Sequence, residues 1–403
     1  MSSPLFLPYG RQSIDEDDVR AVVDVLGSDF LTTGPVSQRF DQALAERVGA
    51  RHAVGCANGT AALHLAALAL ELGPGDCAIV PAITFAATAN AVRFVGAEVA
   101  FCDVDPETGL MGPKDAAAAL ARARGRGWRP RALFPVHLAG QPCPLAELAE
   151  LAAAHGLQVV EDACHAIGGS YEDGAHRVGA CAHSRMTVFS FHPVKTLAMG
   201  EGGAVTTNDD DLAERLRLGR AHGLVRDAAR FVRPDLAMDE NAEVNPWHYE
   251  MQSLGFNYRL SDIACALGLS QMAKLERFVA RRRALVERYD QALAPLAPLV
   301  RPTARVAGAR PGWHLYVALM DFAALGRSRA QVMAALRALG IGTQVHYLPV
   351  NEQPYYTERY GRLELPGADA YFRRCLSLPL YAGLDDADQD RVIDALYRLV
   401  RRE

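Results

Sequence analysis

Apolar residues switch between two periods along this chain, and the switching marks out its elements. Ser13-Ile14-Asp15-Glu16 has the form of a capping box ahead of a helical run that ends near Leu26. Short β-prone runs follow at Cys77–Pro81, Val99–Cys102, Ala132–Val136, Leu157–Glu161, Met186–Phe191 and Ala204–Thr207. Between several of them lie Ala- and Leu-rich stretches with helical spacing, Thr60–Leu72, Thr84–Val95, Pro113–Arg124 and Leu145–His155. Strands alternating with helices of this length predict an α/β fold with a mainly parallel sheet and helices on both faces.

After about residue 208 the pattern changes. A helix over Asp209–Ala221 leads into Val225–Trp247, polar, acidic and weakly periodic, which reads as a surface excursion reaching to about residue 250. A long helix is expected from Ser261 through Leu293. A smaller α+β unit follows, with strand Trp313–Met320, helix Ser328–Leu339, strand Thr343–Tyr347 and a terminal helix from Asp385. The expected division is residues 1–260 and 261–403.

Composition removes several classes. The chain has 403 residues, half of them apolar, enough for a large core. Its net charge is -5 with both signs dispersed, so no basic stripe suits nucleic acid. Met1–Pro8 carries no cationic leader, and no run approaches the roughly 20 apolar residues of a membrane span. The expectation is a cytoplasmic protein. Eight scattered cysteines without C-x-x-C indicate neither a disulfide framework nor a zinc site. H-E-x-x-H, G-x-S-x-G and G-x-x-x-x-G-K-[ST] are absent.

Three lysines stand against 39 arginines, and one of them, Lys195, follows Phe189-Ser190-Phe191-His192-Pro193-Val194. A guanidinium stays protonated and cannot condense with a carbonyl, whereas a partly buried amine can lose its proton and do so. The β-prone run ends at Pro193 and a Gly-rich turn follows, which places the amine at a strand's mouth rather than in an ordinary surface turn. Asp162 ends another strand, where open α/β sheets place their ligands; it is either a turn residue or a partner for a protonated ring nitrogen. His165, a turn later, is placed to hold that aspartate or a ring hydroxyl, or simply to pack.

Asn58-Gly59-Thr60 opens a helix, where backbone N–H groups suit a phosphate or serve as an ordinary cap. Ser190 is near enough in sequence to join them, and Phe85 offers a stacking face. Imine lysine, ring-nitrogen acid, phosphate cradle and stacking face together compose one site for pyridoxal phosphate (PLP).

With these segments the chain resembles the DegT/StrS sugar aminotransferases, PLP enzymes of fold type I. Phe189–Lys195 with Gly200-Glu201-Gly202-Gly203 is similar to that family's lysine segment, and Glu161-Asp162-Ala163-Cys164-His165-Ala166 to its aspartate segment. The resemblance implies a seven-stranded, mainly parallel sheet with a smaller C-terminal α+β domain. It implies Lys195 as the imine lysine, Asp162 as the pyridine partner, Gly59, Thr60 and Ser190 at the phosphate, and Phe85 on the ring. Leu254-Gly255-Phe256-Asn257-Tyr258-Arg259 resembles the segment that reaches into a neighbouring subunit, with Asn257 on the phosphate, which implies a homodimer with shared active sites.

Pro246-Trp247-His248-Tyr249-Glu250 and Val345-His346-Tyr347-Leu348-Pro349-Val350 are similar to the branch making pseudaminic acid precursors, with a UDP-4-keto sugar as acceptor and L-glutamate as donor. Leu197-Ala198-Met199 and Val350-Asn351-Glu352-Gln353 depart from that branch at the sugar pocket. Thr32, Thr33, Gly34, Tyr316 and His346 are candidates for lining this pocket, each with a structural role as the alternative. The rivals are an aminotransferase for another nucleotide sugar, a different PLP chemistry such as desulfuration or dehydration, and a non-catalytic PLP-fold regulator.

Overall fold

A computed structural model describes residues 6–401; the first five residues of the N-terminal segment lie outside it. The chain builds a seven-stranded sheet from β1 (His52–Cys56), β2 (Asp76–Pro81), β3 (Glu98–Cys102), β4 (Arg129–Leu133), β5 (Gln158–Asp162), β6 (Met186–Ser190) and β7 (Gly203–Thr207). Their spatial order is β1-β7-β6-β5-β4-β2-β3. β7 runs antiparallel to both neighbours and the other pairings are parallel. Residues on both faces of β2 and β7 are buried, which is why such strands read as near-continuous apolar runs.

Helices α1 (Glu16–Leu26), α2 (Pro35–Val48), α3 (Gly59–Ala69), α4 (Ala86–Phe94), α5 (Pro113–Gly125) and α6 (Leu145–His155) precede or connect these strands, and α7 (Asp210–Arg220) follows the last of them. A second unit follows: α8 (Asp262–Ala273), α9 (Leu275–Leu293), a three-stranded antiparallel sheet of β8 (Val300–Pro302), β9 (Tyr316–Met320) and β10 (Cys375–Leu378), α10 (Arg329–Ala338) and α11 (Asp386–Arg401). One apolar core underlies the large sheet and includes Phe278 and Val279. The other gathers Leu285, Tyr289, Tyr316, Leu336 and Leu396, together with Leu7 from the N-terminal end.

Most predicted elements are present within a few residues of the expected bounds, and four differ. The first helix is capped by Asp15, not Ser13: Asp15 accepts from the N–H of Asp17 and Asp18, and Asp18 returns a 3.0 Å bond to the Asp15 N–H. The long helix is two, α8 and α9, parted at Lys274 (φ -100, ψ -2), whose amine turns to Asp15 and, at 2.9 Å, to Asp18.

Thr343–Tyr347 is not a strand. Gln344 makes a single bridge to Ser377, and the chain then crosses to the large sheet, where the Val350 N–H meets the Ala82 carbonyl at 2.8 Å. β4 starts three residues before its expected place, because Arg129 anchors it through a 2.5 Å bond to the buried Asp76. Among the elements not anticipated are β1 and α2, the short strands β8 and β10, and the helices Pro354–Tyr360 and Pro366–Arg374; β1 is short and carries His52 and Gly55 in place of a clean alternation. The excursion from 225 is exposed and held by Glu250, whose carboxylate accepts from the N–H groups of Val232 and Arg233.

Candidate active site

The carboxyl ends of β5 and β6 and the N-terminus of α3 open on one cavity of about 710 Å³, within the size range of cofactor sites. Asn58 caps α3 by accepting a 2.9 Å bond from the Ala61 N–H. The N–H groups of Gly59 and Thr60, in the first turn, have no intrahelical partner by geometry, and both residues line the cavity, an arrangement that suits an anion. Glycine is required at 59 because a Cβ there would lie 2.8 Å from Ser190 Cβ and 3.4 Å from Cys164 Sγ. Gly203 on β7 fits against the same turn, its virtual Cβ only 2.4 Å from the Asn58 carbonyl.

Asp162, the last residue of β5, is buried. Its Oδ2 accepts a 2.7 Å bond from Thr88 Oγ1, and its Oδ1 accepts one of 3.2 Å from the Cys164 N–H. Thr84 lies 2.8 Å from Thr88 and completes a hydroxyl relay beneath the carboxylate. Lys195 lines the same cavity, and burial lowers the pKa of its amine, opposed by Cys164 and Asp162. That balance keeps the amine closer to its neutral, nucleophilic form than a solvated lysine would be.

His165 is fixed from both sides. The Ala139 N–H donates to Nδ1 at 3.3 Å, so the neutral ring carries its proton on Nε2, 3.1 Å from Tyr347 Oη. His314 lies 4.5 Å from His165 between ring centroids, and its buried Nδ1 has no hydrogen-bond partner among the described residues. His346 meets Ser377 Oγ at 2.8 Å. Burial is the main cause that pushes the pKa of all three histidines down, with Lys195 adding to it, and that of His346 falls to about 3. They act at neutral pH as hydrogen-bonding groups without charge.

Of the residues singled out in the sequence, Gly59, Thr60, Phe85, Asp162, His165, Ser190, Lys195 and His346 all line this cavity. Phe85 is 59% exposed and 6.1 Å from the Tyr347 ring, an aromatic face left open at the cavity wall. Tyr316 does not line it: β9 alternates, turning Val317 and Leu319 to the large core and Tyr316 to the smaller one, where its hydroxyl donates to Asp290 at 3.0 Å. His314, two residues earlier, occupies the cavity instead.

Thr32 and Thr33 are exposed, and the Gly34 N–H binds Asp262 at 3.0 Å. Asn257 is also exposed and bridges to Ala221. These four are not among the cavity's lining residues. Thr88, Tyr347 and His314 were missed. The four-residue spacing of Thr84 and Thr88 and the adjacency of Tyr347 to His346 were the available signals.

A half-buried amine, a buried carboxylate, a helix N-terminus with a closely fitted glycine and an open aromatic face define an enzyme site suited to PLP. The chain belongs to the DegT/DnrJ/EryC1/StrS aminotransferase family, whose profile matches residues 12–397. It is 27% identical to Helicobacter pylori PseC, an aminotransferase involved in the biosynthesis of pseudoaminic acid, with a TM-score of 0.87 and coverage of 99% of this chain and 100% of that one. It is 32% identical to S. venezuelae DesV, with a TM-score of 0.84 and coverage of 99% of this chain and 100% of that one. A Streptococcus pneumoniae protein solved in its PLP form is 26% identical, with a TM-score of 0.85 and coverage of 98% and 99%. The protein is a PLP-dependent aminotransferase of the sugar-modifying kind. The regulator, desulfurase and dehydratase readings fall away.

Proposed function

We propose that the protein moves an amino group from L-glutamate to C4 of a UDP-4-keto-6-deoxy-N-acetylhexosamine, making a UDP-4-amino-4,6-dideoxy precursor of pseudaminic acid. The observation that carries the chemistry is the convergence of Lys195, Asp162 and the α3 N-terminus on one cavity. The likeness to PseC supports the choice of sugar.

When bound, PLP supplies an electron sink for charge at the donor's α carbon. Lys195 would hold the bound cofactor's carbonyl carbon at rest and, once displaced by the donor, would carry the proton away from the α carbon. In the second half it delivers a proton to sugar C4 and so sets the stereochemistry. Asp162 keeps the ring nitrogen protonated by counter-charge, with Thr88 holding the carboxylate in place. His165 offers Nε2–H to the ring hydroxyl or to Tyr347. Gly59, Thr60 and Ser190 bind the phosphate, and Phe85 stacks on the ring.

Shared sites in a homodimer belong to this reading. Among the described residues the cavity lining contains Lys195 as its single lysine or arginine, while the two carboxylates of glutamate and a nucleotide diphosphate need cationic partners. Asn257 and Arg259 lie on the segment after the excursion, beside exposed Trp247, Tyr249, Met251 and Leu254, an apolar patch suited to contact with a second copy. The division at residue 260 is proposed likewise; the two apolar cores support it, with α8 packed on α1 and α2 and Leu7 in the smaller core as crossings.

A different keto sugar is the second reading, since identity to PseC is only 27%. Incubation of the PLP-loaded enzyme with glutamate and a panel of 3-keto and 4-keto sugars carried on UDP and on other nucleotides, followed by NMR of the product, tests both. An amino group at C4 of the N-acetylated 6-deoxy sugar is expected. Transfer to another ring carbon, or to a different nucleotide's sugar alone, overturns the assignment of substrate.

A further inference from the structure

Apart from the cavity, one cluster on the surface brings together the side chains of a metal site. A two-residue ladder pairs Ser170–Tyr171 with His176–Arg177, closed by a tight turn over Glu172–Gly174 in which all three residues have positive φ. The turn directs the Glu172 carboxylate back over the ladder. His183, on the loop before β6, meets its Oε1 at 2.8 Å through Nε2, and His176 approaches its Oε2 at 3.2 Å through Nε2.

The three ligand atoms lie within 4.8 Å of one another. Both imidazoles pack on Tyr171, at 6.0 and 5.8 Å between ring centroids, and lie nearly perpendicular to each other at 5.7 Å. The Tyr171 ring is buried and forms the floor of the cluster.

We propose that Glu172, His176 and His183 form a binding site for a divalent transition metal of borderline softness, with Zn²⁺ as the reference ion. Two imidazole nitrogens and one carboxylate are the donor set that such ions select over Mg²⁺ or Ca²⁺, which prefer oxygen alone. The nitrogens need to move little, since both already aim at one carboxylate, and an ion replacing those hydrogen bonds is held in their place. The half-exposed side chains leave a coordination position open to water.

Charge nearby is mixed. Asp173 adds an acid, and Arg177 is turned away, its guanidinium donating to the Arg47 carbonyl at 2.7 Å. Arg310 stands over Gly174, where a Cβ would lie 2.8 Å from its Nη1. The ladder is in turn joined to the strand-like segment ahead of His314, through paired backbone bonds between Ser170 and Arg310 of 2.8 and 2.7 Å. A bound ion therefore ties the surface turn to the loop before β6, beside the segment that continues into the cavity wall.

The test is calorimetric titration of Zn²⁺ into tag-free, PLP-loaded enzyme, beside His176→Gln and His183→Gln variants. A single equivalent of Zn²⁺ per chain is expected, weakened at least about tenfold in each variant, with Mg²⁺ not competing and aminotransferase turnover unchanged in both. Crystals of the wild-type protein soaked in Zn²⁺ give a readout that does not depend on the variants folding: an anomalous peak among the three side chains is expected. No stoichiometric binding, binding unaltered in both variants, or a peak elsewhere overturns the proposal.

Discussion

Thr88 Oγ1 donates a 2.7 Å hydrogen bond to Oδ2 of Asp162, across 74 positions of sequence, and ties the start of α4 to the end of β5. In the role proposed for Asp162, opposite a ring nitrogen, the carboxylate gains from being held, because a hydrogen bond to a charged group is worth about 1.5–3 kcal/mol. Thr88→Val keeps the shape and removes the donor. Turnover is expected to fall about tenfold with the protein still folded, as judged by kcat and by circular dichroism. Unchanged kcat would show that Asp162 is oriented by other means.

Lys195→Ala is expected to lower transamination by at least about a thousandfold and to abolish the visible absorbance of the bound cofactor. Lys195→Arg is the sharper case. It restores positive charge but cannot condense with a carbonyl, so it should do no better than alanine; a variant with arginine that turned over near the native rate would remove Lys195 from its role.

Gly59→Ala places a methyl 2.8 Å from Ser190 Cβ at the mouth of α3. Overpacking of this kind costs about 1–3 kcal/mol, and the displaced turn would present its N–H groups poorly. The expected outcome is a lower thermal midpoint together with at least about tenfold weaker PLP binding by fluorescence titration. Weaker folding with native affinity for PLP would separate the glycine from the phosphate.

Acid should destabilise the apo protein in part through the buried histidines. His346 has its pKa pushed down to about 3 by burial and by the nearby Lys195 charge, against about 6.5 in the unfolded chain. Between these values the unfolded chain binds a proton that the folded one refuses, so stability is lost as pH falls below about 6.5, by up to about 1.4 kcal/mol per pH unit for each such group. His165 and His314 shift in the same direction. Comparing thermal midpoints from pH 7 to pH 4, His346→Gln is expected to show a shallower loss than the wild type; parallel curves would contradict the shift.

Local order was largely readable along the chain. Period-2 and helical apolar runs located six strands of the large sheet and its connecting helices, since burial on one face or both leaves its mark within a few residues. The lysine and aspartate segments carried their chemistry in contiguous motifs, and the structure brings Lys195, Asp162, Gly59, Ser190 and His346 to one cavity.

Contacts between distant residues were settled in three dimensions. Nothing near His165 announces that Tyr347, 182 positions away, accepts its hydrogen bond, nor that His314 instead of Tyr316 faces the cavity. The break at Lys274 depends on acids of the first helix, and the failure of Thr343–Tyr347 as a strand depends on where the chain must cross to meet Ala82. Backbone propensity and side-chain alternation act over a few residues, whereas the pairing of a donor with its acceptor across the fold is decided by packing, which closes last and over the longest separations.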